Sequence, residues 1–141
     1  MGEHMVTDRK RFITGMTGVY AAAAELSAKG FIVTITARNA PGVDIMASTP
    51  DLKETFNIQV KANKPKGTQS FWLLNKDAQQ IVSSNFVYVF VNLKEEQKPD
   101  FYTVGSAVVA RDMNVSHSKS GHWYFFRRDA KYKNWDALRK T

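Results

Sequence analysis

The chain has 141 residues, 43% hydrophobic and 23% charged, with a net charge of +7 and no cysteine. That length suits one domain around one core, and the absence of cysteine excludes disulfides, thiolate metal sites and a cysteine nucleophile. No apolar run nears the ~20 residues of a membrane span, and the start MGEHMVTDRKR lacks the apolar stretch of a signal peptide, so a cytoplasmic protein without a membrane partner is expected, and the positive balance favours a polyanionic one.

Residues 1 to 13 read as a polar arm, leaving 14 to 141 as the folded domain. Thr14 to Lys29 reads as a helix: VYAAAAELSAK is rich in strong helix formers, Thr17 is a candidate cap, and Gly30 is a natural stop. Val19, Ala22, Ala23 and Leu26 mark its apolar face. Then come three short β segments, FIVTITA (31 to 37), DIMAS (44 to 48) and TFNIQVKA (55 to 62), separated by the turns RNAPGV and TPDLKE. They predict an antiparallel meander beside the helix.

NKPKGTQS is a basic loop. FWLLNKDAQQIVSS predicts a short strand, then a helical turn near Asp77 to Val82. NFVYVFVNL is apolar nearly throughout, which predicts a central strand buried on both faces. KEEQKPD reads as a solvated loop and FYTVG as a further strand. SAVVARDMNVSHSK reads as a Ser-capped helix, HWYFFRR as a last strand, and NWDALRK as a short terminal helix. The predicted class is α/β in a single domain, with a mixed central sheet flanked by helices.

Side chains alternate along a strand. Gln59 and Lys61 therefore share one face, and Ile58 and Val60 point to the other. Asp44 opens the preceding strand and can reach the same edge, and Glu25 lies on the helix packed nearby. An acid, an amide and an ammonium at one sheet edge suit phosphodiester hydrolysis. A divalent ion held by hard oxygen ligands activates water and polarises the phosphate. Asp44, the Gln59 amide, the Val60 carbonyl and Glu25 are the candidate ligands, and Lys61 is placed to orient water and offset developing charge.

The combination GxxxAAxELxxxGFxV (18 to 33), PGVDI (41 to 45) and IQVK (58 to 61) resembles the PD-(D/E)XK nuclease superfamily. Within it, the likeness is to small bacterial proteins with a Q-x-K variant motif. FYTVGSAVVA (101 to 110) and WDAL (135 to 138) extend the resemblance over most of residues 15 to 138. It implies a restriction-endonuclease-like αβββαβ core, Mg²⁺ or Mn²⁺ as cofactor, and DNA as substrate. It also implies catalytic roles for Asp44, Gln59, Lys61 and Glu25, and a homodimer is compatible with it. Gln59 departs from the family's Asp or Glu, which removes one negative charge from the metal site. The expected activity is a metal-dependent deoxyribonuclease. The alternative is a nuclease-fold protein without turnover that acts as a nucleic-acid-binding or protein-interaction module.

Arg38 in the turn before Asp44, and Lys64 and Lys66 in the loop after Lys61, flank the proposed site as phosphate contacts. Arg127, Arg128 and Lys131 form a second basic group among Trp123, Tyr124 and Tyr132, residues suited to stacking or packing. His117 and His122 have no ligand spacing and read as surface residues. No G-x-S-x-G, Walker or dinucleotide glycine loop occurs, and no small-molecule cofactor is expected.

Overall fold

Helix α1 (Glu3–Ala28) runs for 26 residues, about 39 Å at the usual rise. A computed structural model of the chain describes residues 2–37, 42–65 and 70–139. The expected polar arm is helical: α1 begins at Glu3, not Thr14. Residues 3 to 13 lack an apolar stripe, but they contain no Gly or Pro. Once the Ala-rich half has nucleated, each added residue gains a bond at little cost. Thr17 is no cap, since its hydroxyl donates to the Ile13 carbonyl at 2.7 Å within the helix. The stop at Gly30 is as expected. Its φ is +96°, the Gly30 amide donates to Ser27 at 3.0 Å, and the Phe31 amide donates to Leu26 at 3.1 Å. This paired closure needs a left-handed residue after the last turn.

Strands β1 (Ile32–Ile35), β2 (Ile45–Ser48) and β3 (Thr55–Asn63) form the predicted antiparallel meander. β4 (Phe71–Leu74) and a 3₁₀ turn at Lys76–Gln79 then cross over to β5 (Phe86–Lys94). β5 pairs parallel with β3 and antiparallel with β6 (Gln97–Gly105). The main sheet is therefore mixed, in the order β1-β2-β3-β5-β6. The αβββ part of the expected core is formed as expected. The crossover helix is reduced to β4 and one 3₁₀ turn, close to the sequence reading of that stretch.

The loop expected over KEEQKPD shrinks to a turn at Glu95 and Glu96, because β6 starts at Gln97. The next helix, α2 (Ser106–Asp112), is shorter than predicted. Ser106 does not cap it; its hydroxyl donates to the Ser83 carbonyl and accepts from the Ser83 amide, at 2.8 and 2.9 Å. The chain then forms β7 (Asn114–Ser118), where helix was expected. β7 hairpins onto β8 (Gly121–Arg127), and β8 pairs with β4, giving a second sheet in the order β4-β8-β7. The polar run NVSHS is a strand because β8 offers it a ladder, not because of its own pattern. NWDALRK ends in a 3₁₀ turn at Asp136–Leu138.

β5 divides the core as its apolar run predicted. Val87, Val89 and Val91 face α1 together with Leu26, Phe56, Ile58 and Val60. Phe86, Tyr88 and Phe90 face the second sheet together with Trp72, Tyr102 and Phe126. α1 lies very close to β3 at Gly18, where an added Cβ would stand 2.5 Å from the Ala62 Cβ. No helix is long and apolar enough to cross a membrane among the described residues.

Candidate active site at an open sheet edge

β2 stops pairing with β3 at Ile45 opposite Ile58, while β5 stays paired along β3 as far as Asn63. Among the described residues, Gln59 to Asn63 therefore pair with a neighbouring strand on one side only. An open edge exposes amides that need partners, and Asp44 supplies one. Its own amide donates to the Ile58 carbonyl at 2.8 Å. Its Oδ2 accepts from the Val60 amide at 2.8 Å. Asp44 thus grips β3 on both sides of Gln59. Above it, the Thr36 amide donates to the Asp44 carbonyl at 3.0 Å, and the Thr36 hydroxyl donates to the Val43 carbonyl. Oδ2 is committed to the backbone in this way.

Lys61 is half-buried on the stretch of β3 that β2 leaves open. Burial lowers its ammonium pKa below the ordinary value, and the nearby carboxylates of Asp44 and Asp77 push the other way. A buried cation supported by two acids is the kind of perturbed group that gathers at functional sites. Asp44 lines a recess of about 400 Å³ against α1. Lys61 lines a neighbouring one of about 580 Å³. The two recesses share Arg11, Gly15 and Val60 as walls. Gln59 looks into a third, of about 190 Å³, shared with Asn75, Asp77 and Tyr88.

The structure thus brings Asp44, Gln59, Val60 and Lys61 to one edge, and it leaves Glu25 out. Glu25 lies six residues beyond Val19, the last residue of α1 on the Asp44 recess, about 9 Å along the axis. Its Oε1 is held by the Lys98 ammonium at 2.6 Å. The Glu25 side chain is committed to Lys98 on β6, the edge strand opposite β1.

Of the basic residues, Lys64 borders the Lys61 recess. Arg38 and Lys66 lie outside the described residues. Arg127, Arg128 and Lys131 surround a separate recess of about 330 Å³, which also contains the carboxylates of Asp112 and Asp129. Arg127 sits on the outer face of the second sheet, its guanidinium 5.3 Å from the Phe125 ring centre. That face also carries exposed Phe71, Leu73 and Trp123, and Leu73 borders the Lys61 recess. His117 and His122 face each other across the β7–β8 hairpin, exposed, with Nδ1 atoms 2.6 Å apart.

Two residues of the site escape a reading of the sequence. Arg11 falls in the expected polar arm, yet it walls both the Asp44 and Lys61 recesses. Its four-residue spacing from Gly15, continuing to Val19, is the available signal. Asp77 lies in an ambiguous stretch, and only the crossover brings it near Lys61.

No protein-family model matches the chain, and no curated protein matches it in sequence. Among solved structures, the chain is similar to a Holliday junction resolvase, Hjc, from the archaeal hyperthermophile Archaeoglobus fulgidus. The identity is 14% and the TM-score 0.46, over 79% of this chain and 88% of that one. It is also similar to a bacterial homing endonuclease at 14% identity and a TM-score of 0.48, over 89% of this chain and 81% of that one. Both likenesses concern overall fold and give no residue of this chain a role.

Proposed function

We propose that the chain is a divalent-metal-dependent nuclease that hydrolyses phosphodiester bonds of DNA at the open edge of β3. The observation that carries this reading is the pairing of Asp44, locked onto the Val60 amide beside Gln59, with a half-buried Lys61 that lies within its field. A lysine is expensive to desolvate. A role in chemistry accounts for its place at an open edge better than an aggregation guard does, since a guard works while solvated.

The donors at this edge suit a hard cation. Among the described residues, no three His, Cys, Asp or Glu side chains gather to hold one alone. What the edge offers is mixed oxygen: the Asp44 carboxylate, the Gln59 amide and the Val60 carbonyl. Such a set, completed by water, fits Mg²⁺ or Mn²⁺. When bound, the cation lowers the pKa of water and polarises the phosphate. The chain does the rest. The Val60 amide fixes the Asp44 carboxylate so that its second oxygen points in one direction. Gln59 contributes an oxygen without charge. Lys61 donates hydrogen bonds to the attacking water and to the non-bridging oxygens, and it offsets the charge gathering on phosphorus. Arg11 and Lys64 at the rim hold flanking phosphates as point contacts.

A second reading, a nucleic-acid-binding or interaction module without turnover, is favoured by one feature. The two positions where the superfamily resemblance implies further acid ligands carry Gln59 and a Glu25 already paired to Lys98. One assay separates the two. Circular and oligonucleotide DNA are incubated with Mg²⁺ or Mn²⁺ and the wild-type, Asp44→Ala or Lys61→Ala protein. The nuclease reading expects cleavage in the wild type alone. Absence of cleavage in every form, with DNA affinity retained in both variants, selects the binder.

A further inference from the structure

We propose that Asp77, on the 3₁₀ turn after β4, supplies the carboxylate that Gln59 does not, forming with Gln59 and Tyr88 a pocket for a hydrated divalent cation. The proposal rests on the metal-dependent nuclease reading, and it adds a ligand that neither the motif nor the helix position contains.

Three observations converge on the pocket. Gln59 and Asp77 face one cavity of about 190 Å³, together with Gly42, Asn75, Ile81 and Tyr88. That is room for several waters. Second, Tyr88 is 1% exposed and its hydroxyl has no hydrogen-bond partner among the described residues. Buried hydroxyls are almost always satisfied, so this one calls for a partner inside the cavity, and a cation's water provides it. Third, the Asp77 side chain accepts no hydrogen bond and enters no ion pair among the described residues, although its charge reaches both Lys61 and Tyr88. Its carboxylate is therefore free to bind.

Charge explains the arrangement. Gln59 in place of an acid leaves Asp44 as the lone anion of the edge, which is too little charge for tight Mg²⁺ binding. Asp77 restores a second negative charge from another element, in the cavity that Gln59 also lines. The charges of both carboxylates act on the Lys61 ammonium, which lets one ammonium serve a site charged on both sides. The Tyr88 hydroxyl, buried and lining the same cavity, donates or accepts toward a bound water.

The test is calorimetric titration of Mn²⁺ into the full chain without DNA, so that turnover plays no part. The wild type, Asp77→Asn, Asp44→Asn and the double variant Asp77→Asn/Gln59→Glu are compared, each checked by circular dichroism. Loss of a ligand of this kind weakens affinity by about tenfold or more. The expected result is that loss in Asp77→Asn, with recovery in the double variant, because the introduced glutamate returns the charge to the same pocket. Mn²⁺ affinity unchanged in Asp77→Asn but lost in Asp44→Asn overturns the Asp77 pocket and leaves the nuclease reading standing. Absence of Mn²⁺ binding to the wild type overturns both. Should Asp77→Asn lose its fold, the single variant Gln59→Glu decides: tighter binding supports a cation at this position, and unchanged binding overturns it.

Discussion

Gly18 sets how closely α1 approaches the edge that carries the site, and Gly18→Ala measures that closeness. In an isolated helix the change would favour folding by about 1 kcal/mol, because alanine loses less backbone freedom. Here the new methyl would stand 2.5 Å from the Ala62 Cβ and 3.5 Å from a Val60 methyl. Carbon atoms rest about 3.5–4.0 Å apart, so one backbone must retreat by about 1 Å. Ala62 cannot yield by rotating, and β3 is fixed by its parallel ladder with β5, in which Ala62 pairs with Val91. Overpacking of this kind costs about 1–3 kcal/mol. The net expectation is a loss of about 1 kcal/mol, or about 3 °C in Tm for a domain of this size. Gly15→Ala is the internal control, since nothing lies within 4 Å of its added Cβ. That variant keeps the propensity gain and is expected to melt higher than the wild type. The assay is thermal unfolding by circular dichroism. A Gly18→Ala protein that melts at or above the wild-type temperature would refute the close contact of α1 with β3.

The remaining expectations are simpler. The Lys61 pKa is lowered in the fold from its ordinary 10.5. Between the folded and unfolded values the unfolded chain binds the extra proton, so this group's contribution to stability rises with pH through the window just below 10.5 and is smallest at neutral pH. Lys61→Met removes that contribution, so its Tm, relative to wild type, falls as pH is raised through that window. A pH-independent difference contradicts the desolvated ammonium. Arg11→Ala weakens DNA binding about equally across sequences and reduces the magnitude of the slope of log affinity against log salt by about one unit; an unchanged slope removes Arg11 from the interface. Glu25→Ala leaves cleavage unchanged and lowers stability by less than about 1 kcal/mol, as for other partly exposed ion pairs. Loss of cleavage in a folded Glu25→Ala protein would return Glu25 to the chemistry.

The parts of the fold carried by periodicity were legible in the sequence. β5 shows its burial on both faces as an unbroken apolar run. β3 shows by parity which side chains share a face, and that placed Gln59 and Lys61 together. Asp44 was found from a turn and a strand start, although not the manner in which its carboxylate caps the Val60 amide. What stayed hidden depends on partners distant in sequence. The first three turns of α1 carry charges without a stripe, and their helicity comes from the alanines that follow. β7 is polar and takes its conformation from β8. Asp77 belongs to a single 3₁₀ turn, and no local pattern tells which strand it will cross. The place of Glu25 was hidden in the same way: a helix of 26 residues sets its carboxylate on Lys98 of β6, a partner 73 residues away in sequence.

The most direct measurement is the anomalous signal from a crystal soaked in Mn²⁺. The account predicts a peak at oxygen-ligating distance, about 2 Å, from the Asp44 carboxylate and bordered by Gln59, with the Lys61 ammonium beside its waters. A fully occupied soak with manganese bound elsewhere, and with the space between Asp44 and Lys61 filled by side chains or bulk water alone, would contradict it.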